Sequence, residues 1–197
     1  MYFDYYYLIL VVPAILLTLV AQIKVKTTFH KYSKKMSQRN ITGTPAAAYL
    51  LKVNAITDVN LGRIPGNLTD HYDPTDKTLR LSDSTFESTS IAAIGVAAHE
   101  TGHAIQHAKK YGPLNFRRFL VPIANIGSEA GPFLALLGII MSFPLLIDIG
   151  ILLFSGAVLF YLVTLPVEFN ASKRAAKEIE KNKIITKVYC KMYHLKS

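Results

Sequence analysis

The apolar block from Phe119 to Val167 constrains this chain more than any other feature, because Glu129 and Asp148 are its only charged residues. It is too long for one membrane span of about 20 residues and suits two. The spans are expected near 119–142 and 146–166, with Pro144 and Asp148 marking the turn. A second charge-free stretch runs between Asp4 and Lys24. Residues 5–23 give roughly 28 Å of helix at about 1.5 Å per residue, which matches the hydrocarbon core. Pro13 is tolerated better in a membrane helix than in a soluble one. A signal peptide needs a basic n-region, and the first 23 residues contain no Lys or Arg.

Composition agrees with three spans. Hydrophobic residues make up 51% of the 197 and charged residues 18%, below the roughly 25% usual in soluble domains. That argues against a disordered tail, a coiled coil and a plain soluble domain. The single cysteine, Cys190, excludes an intramolecular disulfide framework. The net charge of +9 is unevenly spread: of 22 Lys and Arg, 14 fall in residues 24–118 and the other 8 in 167–197. With three spans these segments share one side of the membrane. The positive-inside rule makes that side cytoplasmic and puts the N-terminus outside. The basic excess therefore reads as topology rather than as a nucleic-acid surface, and the cluster Lys24, Lys26, Lys31, Lys34 and Lys35 would face anionic headgroups.

Between the first two spans, residues 44–56 suit a short helix, with Thr44 as its cap and Pro45 in its first turn. Residues 59–64 and 78–81 alternate weakly and read as strands. Gly66, Asn67, Asp73-Pro74 and Asp76 supply turn chemistry between them. Ser88, Thr89 and Ser90 offer caps for a helix from Ile91 to about Lys110, which Gly112-Pro113 should stop. Its first half is almost wholly apolar, so burial on all sides is expected.

That helix carries His99-Glu100-Thr101-Gly102-His103. Residues i and i+4 share a helix face, so both imidazoles can point at one metal ion. Neutral imidazole suits zinc. Glu100 lies beside that face, where it can take a proton from a metal-activated water during attack on a carbonyl. Burying two imidazoles and a carboxylate in an apolar segment without a partner would be costly.

A catalytic zinc keeps three protein ligands and one open position. A histidine-rich extension of the motif would need Gly at 106 and His at 109, where this chain has Gln106 and Lys109. His107 lies about 12 Å along the axis from His99, too far to share the ion, so it is expected to be exposed or to support the site from outside. A carboxylate from a later helix remains. Glu168 is the best candidate, since it follows Leu165-Pro166 where the last span returns to the side of His99 and His103. Its alternative reading is an ordinary interfacial carboxylate. Glu129, with Asn125 one turn earlier, lies inside the second span, where packing against another span is the plainer reading.

Three stretches together resemble one family: Asn67-Leu68-Thr69-Asp70-His71-Tyr72-Asp73-Pro74, residues 91–103, and Leu165-Pro166-Val167-Glu168-Phe169-Asn170-Ala171-Ser172. The combination is similar to the bacterial membrane zinc metallopeptidases of the YugP-like (neutral zinc metallopeptidase 2) type, over about residues 1–180. The resemblance implies a zincin-like fold among membrane helices and a gluzincin arrangement, with His99, His103 and Glu168 on zinc. The segment after Glu168 also resembles the Glu-x-x-Ala-Asp motif of HtpX-like membrane proteases, whose final Asp supports a zinc-bound histidine; this chain has Ser172 there. Family members usually continue with another Ala/Leu-rich segment, where this chain has a basic, aromatic stretch over 184–197. In zincins an edge strand before the motif helix pairs with substrate, and Thr78–Ser82 fits that place. Tyr72 or His71 could supply an oxyanion donor.

The expectation is therefore an α-rich membrane protein with three transmembrane helices and a zincin-like α+β catalytic domain. Residues 1–24 hold the first span, 25–118 the cytoplasmic catalytic segment, 119–166 two spans, and 167–197 the third ligand and basic tail. Its metal is Zn2+, bound by His99, His103 and Glu168, with Glu100 as base. Its partners are a peptide or protein substrate and the lipid bilayer, without nucleic acid. Its place is the bacterial plasma membrane, multi-pass, with a cytoplasmic site. The rival readings are a catalytically silent membrane scaffold that keeps zinc for structure, which would not need Glu100, and an anionic-lipid or nucleic-acid module, which would need one compact basic patch.

Overall fold

The computed structural model describes residues 5–185, with the side chains of 5–11 and 14 outside that description. Cys190 and most of the basic tail lie outside it too. The described residues form six helices and three strands: α1 Tyr5–Ser33, α2 Gly43–Val53, β1 Asn60–Ile64, β2 His71–Asp73, β3 Thr78–Ser82, α3 Asp83–Phe86, α4 Ile91–Ala108, α5 Gly112–Ile140 and α6 Pro144–Lys181.

The sheet is small and mixed, in the order β1-β3-β2. β1 runs parallel to β3, and β2 runs antiparallel to it, pairing His71 with Arg80, Tyr72 with Leu79 and Asp73 with Thr78. β3 is thus the central strand. The expectation that Thr78–Ser82 would be a free edge is corrected: β1 and β2 occupy both of its edges. Its buried Leu79 and Leu81 alternate as a strand with one face on a core should. That face meets Ala47 of α2 and Ala97 of α4. β2, within the stretch read as turns, is the free edge beside α4.

Ser90 caps α4, its hydroxyl accepting the Ala93 N–H at 3.2 Å. The apolar first half of α4 is buried, as expected: Ile91, Ala93 and Ile94 are enclosed by α2, by Tyr32 near the end of α1, and by Ala175 and Ile179 of α6. Thr44 does not cap α2. Thr42 takes that place, and the Thr44 hydroxyl instead ties α2 to the Phe86 carbonyl at 2.8 Å.

Among the described residues, α5 and α6 are long and apolar enough to cross a membrane. The first expected span, 5–23, lies on α1, and the side chains of 5–11 and 14 within it fall outside the described residues. α5 starts at Gly112, directly after α4, because Pro113 both ends the one helix and suits the first turn of the next. α6 runs unbroken through Pro166, so the third expected span, 146–166, and the following polar segment are one helix. α5 and α6 pack closely on small residues. A Cβ on Gly127 would lie 2.2 Å from the Leu153 carbonyl oxygen, and one on Gly150 2.5 Å from the Ala135 nitrogen. Glu129 is exposed on α5 and makes no ion pair among the described residues.

Candidate active site

The site forms where α4 crosses α6. Gly102 makes the crossing possible: a Cβ there would meet the Ala171 carbonyl oxygen at 2.6 Å. The motif's own glycine therefore lets the two backbones approach, and this brings Glu168 beside His103, one residue after it, and His99, three residues before it. Glu168 Oε2 lies 3.2 Å from His99 Nε2 and 3.4 Å from His103 Nε2. These separations match the edge of a tetrahedron with zinc–nitrogen and zinc–oxygen bonds, about 3.3 Å. The donor atoms of His99, His103 and Glu168 all lie within 4.8 Å of one another and could hold a metal ion.

The far sides of both imidazoles are engaged. Gln106 is fully buried and donates through Nε2 to the Val167 carbonyl at 2.8 Å and to Asn170 Oδ1 at 3.0 Å. With its nitrogen so used, its Oε1 accepts from His103 Nδ1 at 3.0 Å. Ser172 Oγ lies 3.1 Å from His99 Nδ1 and can accept its N–H. The position held by Asp in the HtpX-like motif is thus filled by a neutral hydroxyl that makes the corresponding contact. Each Nδ1–H so committed leaves the Nε2 lone pair facing Glu168. Three lone-pair atoms at such distances repel unless a cation or added protons stand between them. In the absence of metal, burial works to lower the His99 pKa, but the Glu168 hydrogen bond and nearby carboxylates outweigh it and raise it.

Glu100 lies beside the donors, where its Oε2 accepts the Tyr72 backbone N–H at 3.1 Å. Tyr72 is the middle residue of β2, opposite Leu79, so its N–H points away from β3. The free edge of the sheet therefore orients this acid. Burial pushes the Glu100 carboxyl above its usual range, although His99 and His103 pull it the other way. The Tyr72 hydroxyl is 2.8 Å from His107 Nδ1. Burial raises this phenol's pKa to about 12, so it stays protonated and donates. Burial also lowers the His107 pKa, which keeps that ring a neutral acceptor. His107 thus supports β2, and the Tyr72 hydroxyl is engaged there rather than aimed at a substrate carbonyl. His71 lines the cleft, with Nδ1 on the Thr69 carbonyl at 3.0 Å.

The cleft over these groups has a volume of about 540 Å³. Besides the expected residues it is lined by Arg117 and Arg118 of α5. Arg117 Nη1 is 3.5 Å from Glu168 Oε1, the oxygen turned away from the histidines. Neither Gln106 nor Arg117 stood out in the sequence. Gln106 sits three residues past His103 on a buried face, and that placement was its available signal.

The family described as "Putative neutral zinc metallopeptidase" matches residues 7–194. The chain belongs to this family. The match reaches into the basic tail, beyond residue 180 where the motif resemblance stops. One curated relative, the "Putative membrane protease YugP" of Bacillus subtilis (strain 168), is 46% identical over 173 residues, covering 88% of this chain and 77% of that one. No solved structure matches. The relative's name and the two apolar helices agree on membrane association, and the family name implies zinc, a metal ion that the three donors could hold.

Proposed function

We propose that this chain is a membrane-embedded zinc endopeptidase of the gluzincin kind, with His99, His103 and Glu168 as zinc ligands and Glu100 as general base. The observation that carries the reading is the donor triangle itself. Two imidazole nitrogens stand 3.2 and 3.4 Å from one carboxylate oxygen, their outer atoms are engaged by Gln106 and Ser172, and an acid stands beside them that none of the three needs as a partner. A structural metal site would have no use for that acid.

Zinc bound there would supply Lewis-acid polarisation of a peptide carbonyl and an acidified water. Glu100 takes the proton of the attacking water and passes it to the leaving amine. The Tyr72 N–H keeps one carboxylate oxygen fixed, so the other is free for proton transfer. Arg117 holds Glu168 Oε1, which leaves Oε2 as the ligating oxygen. The membrane topology proposed with this reading places the site on the cytoplasmic face of a multi-pass protein in a bacterial plasma membrane.

Glu100→Gln separates the roles. It should retain zinc and lose about 10²–10⁴-fold of cleavage rate on an unfolded protein such as casein. Undiminished cleavage by this variant would contradict the assignment.

A further inference from the structure

One wall of the cleft has a single role above, the contact of Arg117 with Glu168. Leu114, Arg117, Arg118 and Val121 line it, and their i, i+3, i+4, i+7 spacing puts them on a single face of α5. Two of the four carry charges that do not titrate. Arg117 reaches Glu168 with one nitrogen only, at 3.5 Å, while its Nε is buried without a hydrogen-bond partner among the described residues. A buried donor left unpaired costs about 1–3 kcal/mol, so this nitrogen favours an incoming acceptor. Arg118 is exposed and makes no ion pair among the described residues. The acids of the cleft are already engaged. Asp70 accepts the Ser82 N–H and hydroxyl at 2.8 Å each, Glu100 accepts the Tyr72 N–H, and Glu168 Oε2 faces the histidines.

We infer that Arg117 and Arg118 grip a carboxylate of the substrate beside the scissile bond, so that the preferred substrates are polypeptides with an acidic side chain, or a free C-terminus, at that place. This rests on the peptidase reading. Guanidinium groups present planar forks that match a carboxylate, and Arg117 has unused N–H directions to offer. Its fork stands one carboxylate away from the donor atoms. An extended peptide advances about 3.3 Å per residue, so the anionic group falls within roughly two residues of the bond that is cut.

The test uses the full-length Glu100→Gln chain, loaded with zinc in detergent, and fluorescent alanine-based hexapeptides with blocked ends. Each peptide carries Glu or Gln at one position, and a further set carries Gln with a free C-terminal carboxylate. At one or two adjacent positions the Glu peptide should bind about tenfold more tightly than its Gln partner. Adding Arg117→Gln or Arg118→Gln should bring the ratio below about twofold, with zinc retained at least in the Arg118 variant. A free C-terminus that outbinds its amide, with the same arginine dependence, would assign the carboxylate to the chain end. Equal affinities throughout, or no measurable binding of any peptide, would overturn the inference. So would a Glu preference that survives both arginine substitutions. Casein cleavage by the unaltered chain is scored separately. Cleavage without discrimination overturns the arginine inference alone, and discrimination without cleavage overturns the hydrolytic reading alone.

Discussion

The apolar first half of α4 and the apolar stretch of α6 look alike as sequence and end in opposite surroundings. On α4, Ile91 and Ile94 are 2% and 0% exposed. On α6, Leu152 is 73% exposed and Leu162 59%. α4 is solvated by protein, whereas α6 turns its side chains outward in the way a lipid-facing helix does. The lesson lies in where the two meet. Over its last turns α6 leaves that exposed regime, burying Val167, Ala171 and Ala175 against the α4 region, and Glu168 sits at the change. The site is a seam between two kinds of packing, and each side contributes donors that the other cannot.

That contrast can be broken most directly by matched truncations. Leu50, fully buried behind α4, should cost about 2–5 kcal/mol as Leu50→Ala. Leu152→Ala should cost no more than about 0.5 kcal/mol, since lipid or detergent replaces the lost contact. Denaturation in detergent reads both, and equal losses would show that α6 packs on protein where it is taken to face lipid.

A smaller effect is expected at the seam. Gly102→Ala should cost about 1–3 kcal/mol, because the new methyl meets a backbone carbonyl rather than a movable side chain. Zinc affinity should fall with it, as the displacement carries both histidines away from Glu168. A variant with unchanged stability and unchanged zinc binding would show that the crossing tolerates separation.

Smaller still are the supports of the imidazoles. Gln106→Ala should lower zinc affinity by about 10–100-fold, in the range of such supporting contacts. Ser172→Ala should lower it less, because a single neutral hydroxyl at 3.1 Å is lost in place of a buried three-bond hub. Metal competition with a chelator checks the order, and a larger effect at Ser172 would reverse the account of the two supports.

Much of this was legible in the residues. The pairing of His99 with His103 follows from helical spacing alone, and Glu168 stood out as the acid directly after the last expected span, with the ligand set itself implied by the family resemblance. The strands around residues 60–64 and 78–82 and the start of α4 also announce themselves by alternation and by Ser90. β2 does not, because three residues carry no periodicity and exist as a strand only through pairing with Leu79 and its neighbours. That omission hid the central place of β3 and the role of the Tyr72 N–H. Pro166 suggested a helix boundary, yet α6 passes through it, since a proline costs one backbone bond and membrane helices absorb that loss. Arg117 was invisible for a different reason: its meaning depends on α5 starting immediately after α4, which brings its first turns over the cleft.

The central claim is that His99, His103 and Glu168 together, and no nearer neighbour, make the metal site. Zinc content of the purified full-length protein, measured by elemental analysis after dialysis against a weak chelator, tests it directly. The unaltered chain should hold about one zinc per chain, as should His107→Ala, whose ring bonds Tyr72 instead. His99→Ala, His103→Ala and Glu168→Gln should each lose it. A zinc-replete Glu168→Gln beside a zinc-free His107→Ala would contradict the account.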